Sequence, residues 1–320
     1  MHFLSFIWNP DGTLFKIGFL QIKYYNLLWI VAFAFGWFIM KKIFLKEKKT
    51  VEQLDSLFIH CVVSIMLGAR LGHVFFYDWA HYKNNLIEIL LPIRKLPKGS
   101  EEALFGFIKG YEFTGFTGLA SHGATIGAII GIYLFARKQK LNFLWVIDRA
   151  VVASAIGTFC VRLGNFFNSE IVGTTVDKSF IFATQFIRNS DDLSASEAKR
   201  LTGTKTASKA YELIETSEKF ADRLAEIPYR HPAQLYEGIC YVFMFLILYF
   251  LYWKTDKSEK PGFLFGTFLV LLWTIRFFIE YVKERQNDLD QSMELLAIGQ
   301  WLSIPFILIG LYLMFRPVKK

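Results

Sequence analysis

Cysteine is scarce in this chain: Cys61, Cys160 and Cys240 are the only three in 320 residues. All three fall inside apolar blocks, and their wide spacing supplies neither a zinc-ligand set nor a redox pair, so they read as buried apolar thiols. The N-terminus lacks a basic n-region, and MHFLSFIWNPDG holds only a short apolar run before Pro10. A cleavable signal peptide is therefore not expected, and the first spanning helix is expected to be retained. There is no internal repeat and no low-complexity run. Also missing is the regular interruption of apolar positions by charge that a soluble core of this length would show.

What is present is apolar bulk. Hydrophobic residues make up 53% of the chain and aromatic residues 18%, with a mean hydropathy of +0.34. Blocks able to cross a hydrocarbon core of about 30 Å, which takes roughly 20 helical residues, lie near 25–44, 56–78, 117–136, 143–167, 232–253, 262–283 and 296–315. The net charge of +8 would suit nucleic acid, but the basic residues occupy alternate loops. Lys41, Lys42, Lys46, Lys48 and Lys49 follow the first block, and Arg137, Lys138 and Lys140 follow the third. Lys254, Lys257 and Lys260 follow the fifth, and Arg316, Lys319 and Lys320 end the chain. By the positive-inside rule these segments are cytoplasmic, which places the N-terminus outside and the C-terminus inside and leaves no nucleic-acid role.

The expected fold is thus an all-α integral membrane protein with seven transmembrane helices, forming one polytopic domain over residues 1–320. Residues 79–116 and 174–230 form long external loops. The second carries Tyr211, Leu213, Ile214, Phe220 and Leu224 at helical spacing, which predicts a small external helical subdomain inserted between helices four and five.

Ionisable groups inside spanning helices are costly, about 2.5–3.5 kcal/mol each on insertion scales, so each needs a partner or a task. At 1.5 Å per residue, Arg276 and Arg70 fall roughly 10 Å below the outer boundary and His122 about 8 Å below it. Arg162 is shallower, and Tyr25, Asn168, Glu170 and His231 mark the outer ends of their helices. The polar set converges on one leaflet. Arg276 and Glu280, spaced i,i+4, either neutralise one another or serve a site. His122 is either a satisfied bundle residue or a catalytic one, while Gly123, Gly127 and Gly131 beside it form a ridge for close helix packing. Arg70 is either a strut to a carbonyl or part of the polar site. Asp148 and Arg149 are expected to be interfacial anchors, and Glu237, without an assigned partner, at most to orient its neighbours.

The stretch from Val161 to Gly173, VRLGNFFNSEIVG, sets an arginine, two asparagines and a glutamate at the end of a long apolar run. Arg162 and Asn165 share a helical face, Asn168 is three residues on, and Gly164 and Gly173 permit close approach or a break in the helix. A guanidinium flanked by amides at headgroup depth suits a phosphodiester.

These residues carry a resemblance. HGA at 122–124, RLGNFFNSEIVG at 162–173, RHPAQLYE at 230–237, RFFIEYVKE at 276–284 and GQWLSIP at 299–305 resemble, in content and order, the bacterial prolipoprotein diacylglyceryl transferases. The resemblance implies transfer of the diacylglyceryl group of phosphatidylglycerol to the lipobox cysteine of a preprolipoprotein, with a thioether formed and glycerol phosphate released. It implies catalytic roles for His122, Glu170, Arg276 and Glu280, with Glu280 holding Arg276 in place. Substrate contacts are expected from Tyr25, Arg70, Arg162, Asn165, Asn168, Gly173 and His231. It implies no metal and no cofactor, lipid and signal-peptide partners, and a bacterial inner-membrane enzyme whose site faces the outer leaflet. One departure is KERQ after Tyr281-Val282, where the family ending has a proline. A transporter of anionic solutes or lipids is the rival from another class, but it calls for internal repeats and a midplane site. A structural scaffold would explain the helix packing but not arginines at this depth.

Overall fold

The computed structural model describes residues 6–17, 20–91, 93–96, 103–104, 108–113, 118–284 and 296–317. Parts of the 79–116 loop, Arg285 and Gln286 of KERQ, and the terminal Lys319 and Lys320 lie outside the described residues. The long helices are α1 (Tyr24–Lys46), α2 (Val51–Phe76), α3 (Ser121–Lys138) and α4 (Phe143–Phe167). Three short helices follow, α5 (Ala195–Thr202), α6 (Ala207–Thr216) and α7 (Ala221–Glu226), and then α8 (Ala233–Lys254), α9 (Phe263–Ile279) and α10 (Ile298–Phe315).

Each expected apolar block is a helix, with ends set by local chemistry. Among the described residues α1, α2, α4, α8 and α10 are long and apolar enough to cross a membrane. Helix α9 is apolar but has 17 residues, about 25 Å of rise, and α3 carries His122, Arg137 and Lys138 at its two ends. Large apolar side chains such as Ile30, Phe38, Ile59 and Phe243 stand exposed along these helices, as lipid-facing surfaces require.

The chain divides into two compact units, Met1–Met40 with Asp148–Lys320, and Lys41–Ile147. Within the second unit, α2 and α3 pack backbone to backbone. A Cβ built on Gly123 would stand 2.2 Å from the carbonyl oxygen of Gly68, and one on Gly127 would stand 2.1 Å from that of Ser64. The expected glycine ridge is therefore a contact surface, met by Gly68 and Gly72 on α2, and any side chain there would push the helices apart. Arg70, buried near the end of α2, donates from Nε to the Ile89 carbonyl at 2.8 Å and from Nη2 to that of Glu88, and its guanidinium lies 4.8 Å from the Tyr82 ring centroid. The strut reading of Arg70 is the one its contacts support.

In the first unit α9 and α10 meet at Gly266 and Gly310, where a Cβ on either would come within 2.7 Å of the other's carbonyl oxygen. Trp273 and Phe306 stack across the same pair at 4.4 Å. Asp148 is not an interfacial anchor. It is fully buried, and its carboxylate accepts from the N–H groups of Gly262 at 2.6 Å and Phe265 at 2.8 Å. A carboxylate there satisfies orphan donors at the start of α9 and complements its dipole.

Residues 174–230 enclose a small helical core of Ile187, Leu193, Ala198, Ala210, Tyr211, Ile214 and Ile227, with Phe220 and Leu224 packed against it. The all-α expectation needs one correction. Strand β1 (Phe6–Trp8) pairs parallel with β2 (Thr184–Phe186), which pairs antiparallel with β3 (Tyr229–Arg230). Backbone between helices must still satisfy its N–H and C=O groups, and here it does so by short ladders. Antiparallel ribbons at Thr13–Ile17 with Leu20–Lys23 and at Ile93–Lys95 with Tyr111–Phe113 do the same.

Candidate functional site

Arg162 and Asn165 stand three residues apart on the last turns of α4, and Arg162 donates from Nη1 to Asn165 Oδ1 at 3.3 Å. The helix then stops abruptly. Ser169 N–H bonds to the Phe166 carbonyl at 3.1 Å and Glu170 N–H to the Asn165 carbonyl at 3.0 Å, the paired bonds of a Schellman ending. Ser169 occupies the left-handed position with φ 55°, and Ile171 is left-handed too, at 56°. Such residues cost of order 1–3 kcal/mol each, so the surrounding structure must impose them. Glu170, between them, accepts from Asn165 Nδ2 at 3.4 Å and Asn168 Nδ2 at 3.3 Å, while its own carbonyl receives Gln234 Nε2 at 2.6 Å. The signature thus folds into one connected polar hook.

Two glycines let it be held closely. Gly164 faces the Tyr25 ring, where an added Cβ would lie 2.6 Å from Cδ2. Gly173 is threaded between two backbones, its N–H bonded to the His231 carbonyl at 2.9 Å and its missing Cβ 2.6 Å from the Val282 carbonyl oxygen. The chain leaving α9 therefore docks on the signature, with Thr174 N–H on the Val282 carbonyl at 2.9 Å. His231 sits edge-on to Phe180 at 4.7 Å, with Nδ1 3.3 Å from the Tyr236 hydroxyl. Burial holds its imidazole below the ordinary range.

The charged centre lies between α4, α8 and α9. Arg162 grips Glu237 with both arms of its fork, Nε to Oε2 at 2.8 Å and Nη2 to Oε1 at 2.9 Å. Glu237 also accepts from the Tyr241 hydroxyl, one turn along α8, and Arg276 Nη1 lies 3.9 Å from its Oε1. The Glu237 side chain is 4% exposed, that of Arg162 13% and that of Arg276 34%. Arg276 lies 5.5 Å from the Trp273 centroid, and among the described residues its Nε finds no hydrogen-bond partner. Arg162, Glu237, Arg276, Ile279, Glu280 and Lys283 line a cleft. Three cations face two carboxylates, so the cleft carries a net positive charge, and Arg276, with only the 3.9 Å ion pair to Glu237, is its least engaged arginine.

Glu237 is the residue that the sequence reading underestimated. Its signal was a lone carboxylate in an apolar helix, which demands a cation, but that cation is 75 positions away in the chain. The expected brace of Arg276 by Glu280 is also corrected. Arg276 has Glu237 as its carboxylate, whereas Glu280 pairs with Lys283 at 3.7 Å. Glu280 stands at the cap of α9, where the chain turns away. Its carboxylate lies against the start of α10, within 3 Å of where a Cβ on Gly299 would be. Arg162, Asn165, Asn168, Glu170, Gly173, Tyr25, His231, Arg276 and Glu280 all belong to the first unit, and His122 and Arg70 to the second. His122 occupies the first turn of α3.

Apolar helices of membrane-crossing length, with a positive cleft between α4, α8 and α9, define the class as a multi-pass membrane protein. The family model for prolipoprotein diacylglyceryl transferase matches residues 12–316. The chain belongs to that family. It is 38% identical to the phosphatidylglycerol–prolipoprotein diacylglyceryl transferase of Bacteroides fragilis over 317 residues, 99% of this chain and 97% of that one. The proteins of the same name from Tolumonas auensis and Chloroherpeton thalassium are 34% and 32% identical, each over 98% of this chain and over 98% and 94% of their own lengths.

Proposed function

We propose that this chain transfers the diacylglyceryl group of phosphatidylglycerol to the lipobox cysteine of preprolipoproteins, the first step of lipoprotein maturation. The cysteine sulfur forms a bond to the glyceride carbon that carries the phosphate ester. The carbon–oxygen bond breaks, its electron pair leaves with glycerol phosphate, and the thiol proton passes to a base. A thiol with a pKa of about 8.5 reacts as thiolate. His122 is assigned the proton because imidazole is the side chain that titrates nearest neutral pH. Charge grows on the departing phosphate, and donors already aimed at it lower the barrier.

The observation that carries this reading is Arg276, partly open in a cleft whose other arginine is already gripped by a buried carboxylate. Arg276 supplies donors to the phosphate, and Arg162 contributes its remaining N–H groups from a position locked by Glu237. Asn165, Asn168 and Glu170 orient the glycerol headgroup. Tyr25, Gly173 and His231 shape the surrounding walls, and Glu280, with Lys283, sets the end of α9. Seven helices span the inner membrane with the N-terminus outside, which puts the hook and the 174–230 segment at the outer leaflet. The alternation of basic loops supports that orientation.

The test is purified protein with phosphatidylglycerol and a lipobox peptide, followed by lipid extraction. Thioether-linked diacylglyceryl peptide is the expected product, lost in Arg276→Ala. Lipid flux without product would support transport instead, and wild-type turnover in Arg276→Ala would remove the phosphate role.

A further inference from the structure

The segment 174–230 is polar outside and packed inside, with one local exception. Of its large apolar side chains only Ile181, Phe182 and Leu201 are exposed, and the first two are adjacent, at 51% and 46%. Their loop is not slack. Ser179 N–H bonds to Asp177 Oδ1 at 2.8 Å, Phe180 N–H to the Asp177 carbonyl at 2.9 Å, and Ala183 N–H to the Phe180 carbonyl at 3.0 Å. Two successive turns present the apolar tip, and β2 begins directly after it. An exposed Ile-Phe pair on a rigid polar scaffold calls for something to cover it.

What lies beneath the tip indicates the cover. The Phe182 ring stands 6.3 Å from that of Tyr236, on the first turn of α8. Tyr236 heads a row that continues through Ile239, Phe243, Leu246 and Phe250, all exposed. This is the i, i+3, i+7 spacing of a single helix face. The opposite face of α8 carries the buried Glu237 and Tyr241 of the site. Phe182 and Ile181 therefore prolong the apolar outer face of a membrane-length helix past its end, where aromatic side chains sit in lipid–water interfaces.

We propose that the loop 179–182 is seated in the outer-leaflet interface and fixes the 174–230 segment against the bilayer, its ligand being phospholipid at headgroup depth. The segment then rides on the membrane surface that delivers the lipid substrate. Gly173 and His231, at the two ends of this segment, bond to one another, and Thr174 bonds to Val282 on the chain leaving α9, so the anchor sets the height of this junction beside the polar site relative to the lipid phosphates. This inference rests on the proposed orientation, with α8 spanning and 174–230 outside.

The experiment uses the full chain in nanodiscs of phosphatidylethanolamine and phosphatidylglycerol, with Cys61, Cys160 and Cys240 replaced. A polarity-sensitive fluorophore is attached through Phe182→Cys, Phe243→Cys or Leu201→Cys. Quenching is read with nitroxide lipids labelled near the headgroup end of the acyl chain and with aqueous iodide. The expected result at position 182 is lipid quenching within about twofold of that at 243 and shielding from iodide, the behaviour of an interfacial anchor about 5–10 Å deep. Position 201 should show the reverse. Iodide access at 182 equal to that at 201 would overturn the anchor while quenching at 243 still upheld the spanning helix. Iodide access at 243 would overturn the orientation itself. Protection of 182 that appears only on adding lipobox peptide would also overturn the proposal and assign the tip to the protein substrate.

Discussion

Glu237→Gln separates a charge that organises the site from one that merely neutralises it. In the wild type the carboxylate, 4% exposed, receives both arms of Arg162, the Tyr241 hydroxyl and the field of Arg276. Breaking a buried ion pair costs roughly 3–5 kcal/mol, because the remaining charge is left without a counter-ion. The amide keeps one acceptor and nearly the same volume, so about 2–3 kcal/mol is the expected loss. For a chain of this size that lowers the apparent Tm by roughly 5 °C. Turnover should fall at least about tenfold, since 1.4 kcal/mol of misplaced transition-state stabilisation already gives that factor. The loss also has a chemical signature. With its carboxylate gone, Arg162 needs another anion, and a bound phosphate supplies one. Added phosphatidylglycerol should raise the apparent Tm of Glu237→Gln by more than it raises that of the wild type, as binding to the folded state requires. The assay is tryptophan fluorescence during heating in detergent, with and without phosphatidylglycerol, alongside the peptide transfer assay. Unchanged Tm and turnover, or equal lipid stabilisation in both proteins, would refute the organising role of Glu237.

Other perturbations give separate readings. Arg162→Lys keeps the charge but cannot engage both oxygens of Glu237, so turnover in the transfer assay should fall about tenfold or more. Glu280→Gln removes the ion pair with Lys283 and should reduce turnover severalfold while the protein still inserts and binds phosphatidylglycerol. Loss of lipid binding together with aggregation would mark Glu280 as purely structural. Gly173→Ala drives a methyl to within 2.6 Å of the Val282 carbonyl oxygen and the His231 Cβ. It should cost about 1–3 kcal/mol, as overpacking does, visible as a lowered apparent Tm. For the orientation, Ser194→Cys in a background without the native thiols should react with an impermeant maleimide added outside the cell, and labelling exclusively from the cytoplasm would reverse every loop.

Hydropathy is a local property, and for that reason the sequence alone located each long helix to within a few residues. The same holds for most of the hook. Arg162, Asn165 and Asn168 follow one another at three-residue spacing, which helical geometry turns into neighbours, but the return of Glu170 to the two asparagines passes through the left-handed Ser169, which the surrounding structure imposes. The glycine ridge of α3 was legible because glycines at four-residue spacing line one face of a helix and permit close helix–helix contact. Local rules fail where a charged side chain finds its partner far away in the chain. Arg276 and Glu280 do keep their i,i+4 register, Glu280 N–H bonding to the Arg276 carbonyl at 3.1 Å, yet Arg276 lies nearer to Glu237 on α8 and Glu280 to Lys283. Asp148 looked interfacial because its ligands, the N–H groups of Gly262 and Phe265, are more than a hundred positions away. Glu237 had no visible partner because the guanidinium that neutralises it is carried by another helix. Tertiary structure alone decides these pairings: a buried charge must be matched in three dimensions, and nothing in its own neighbourhood of sequence states which distant residue will meet it.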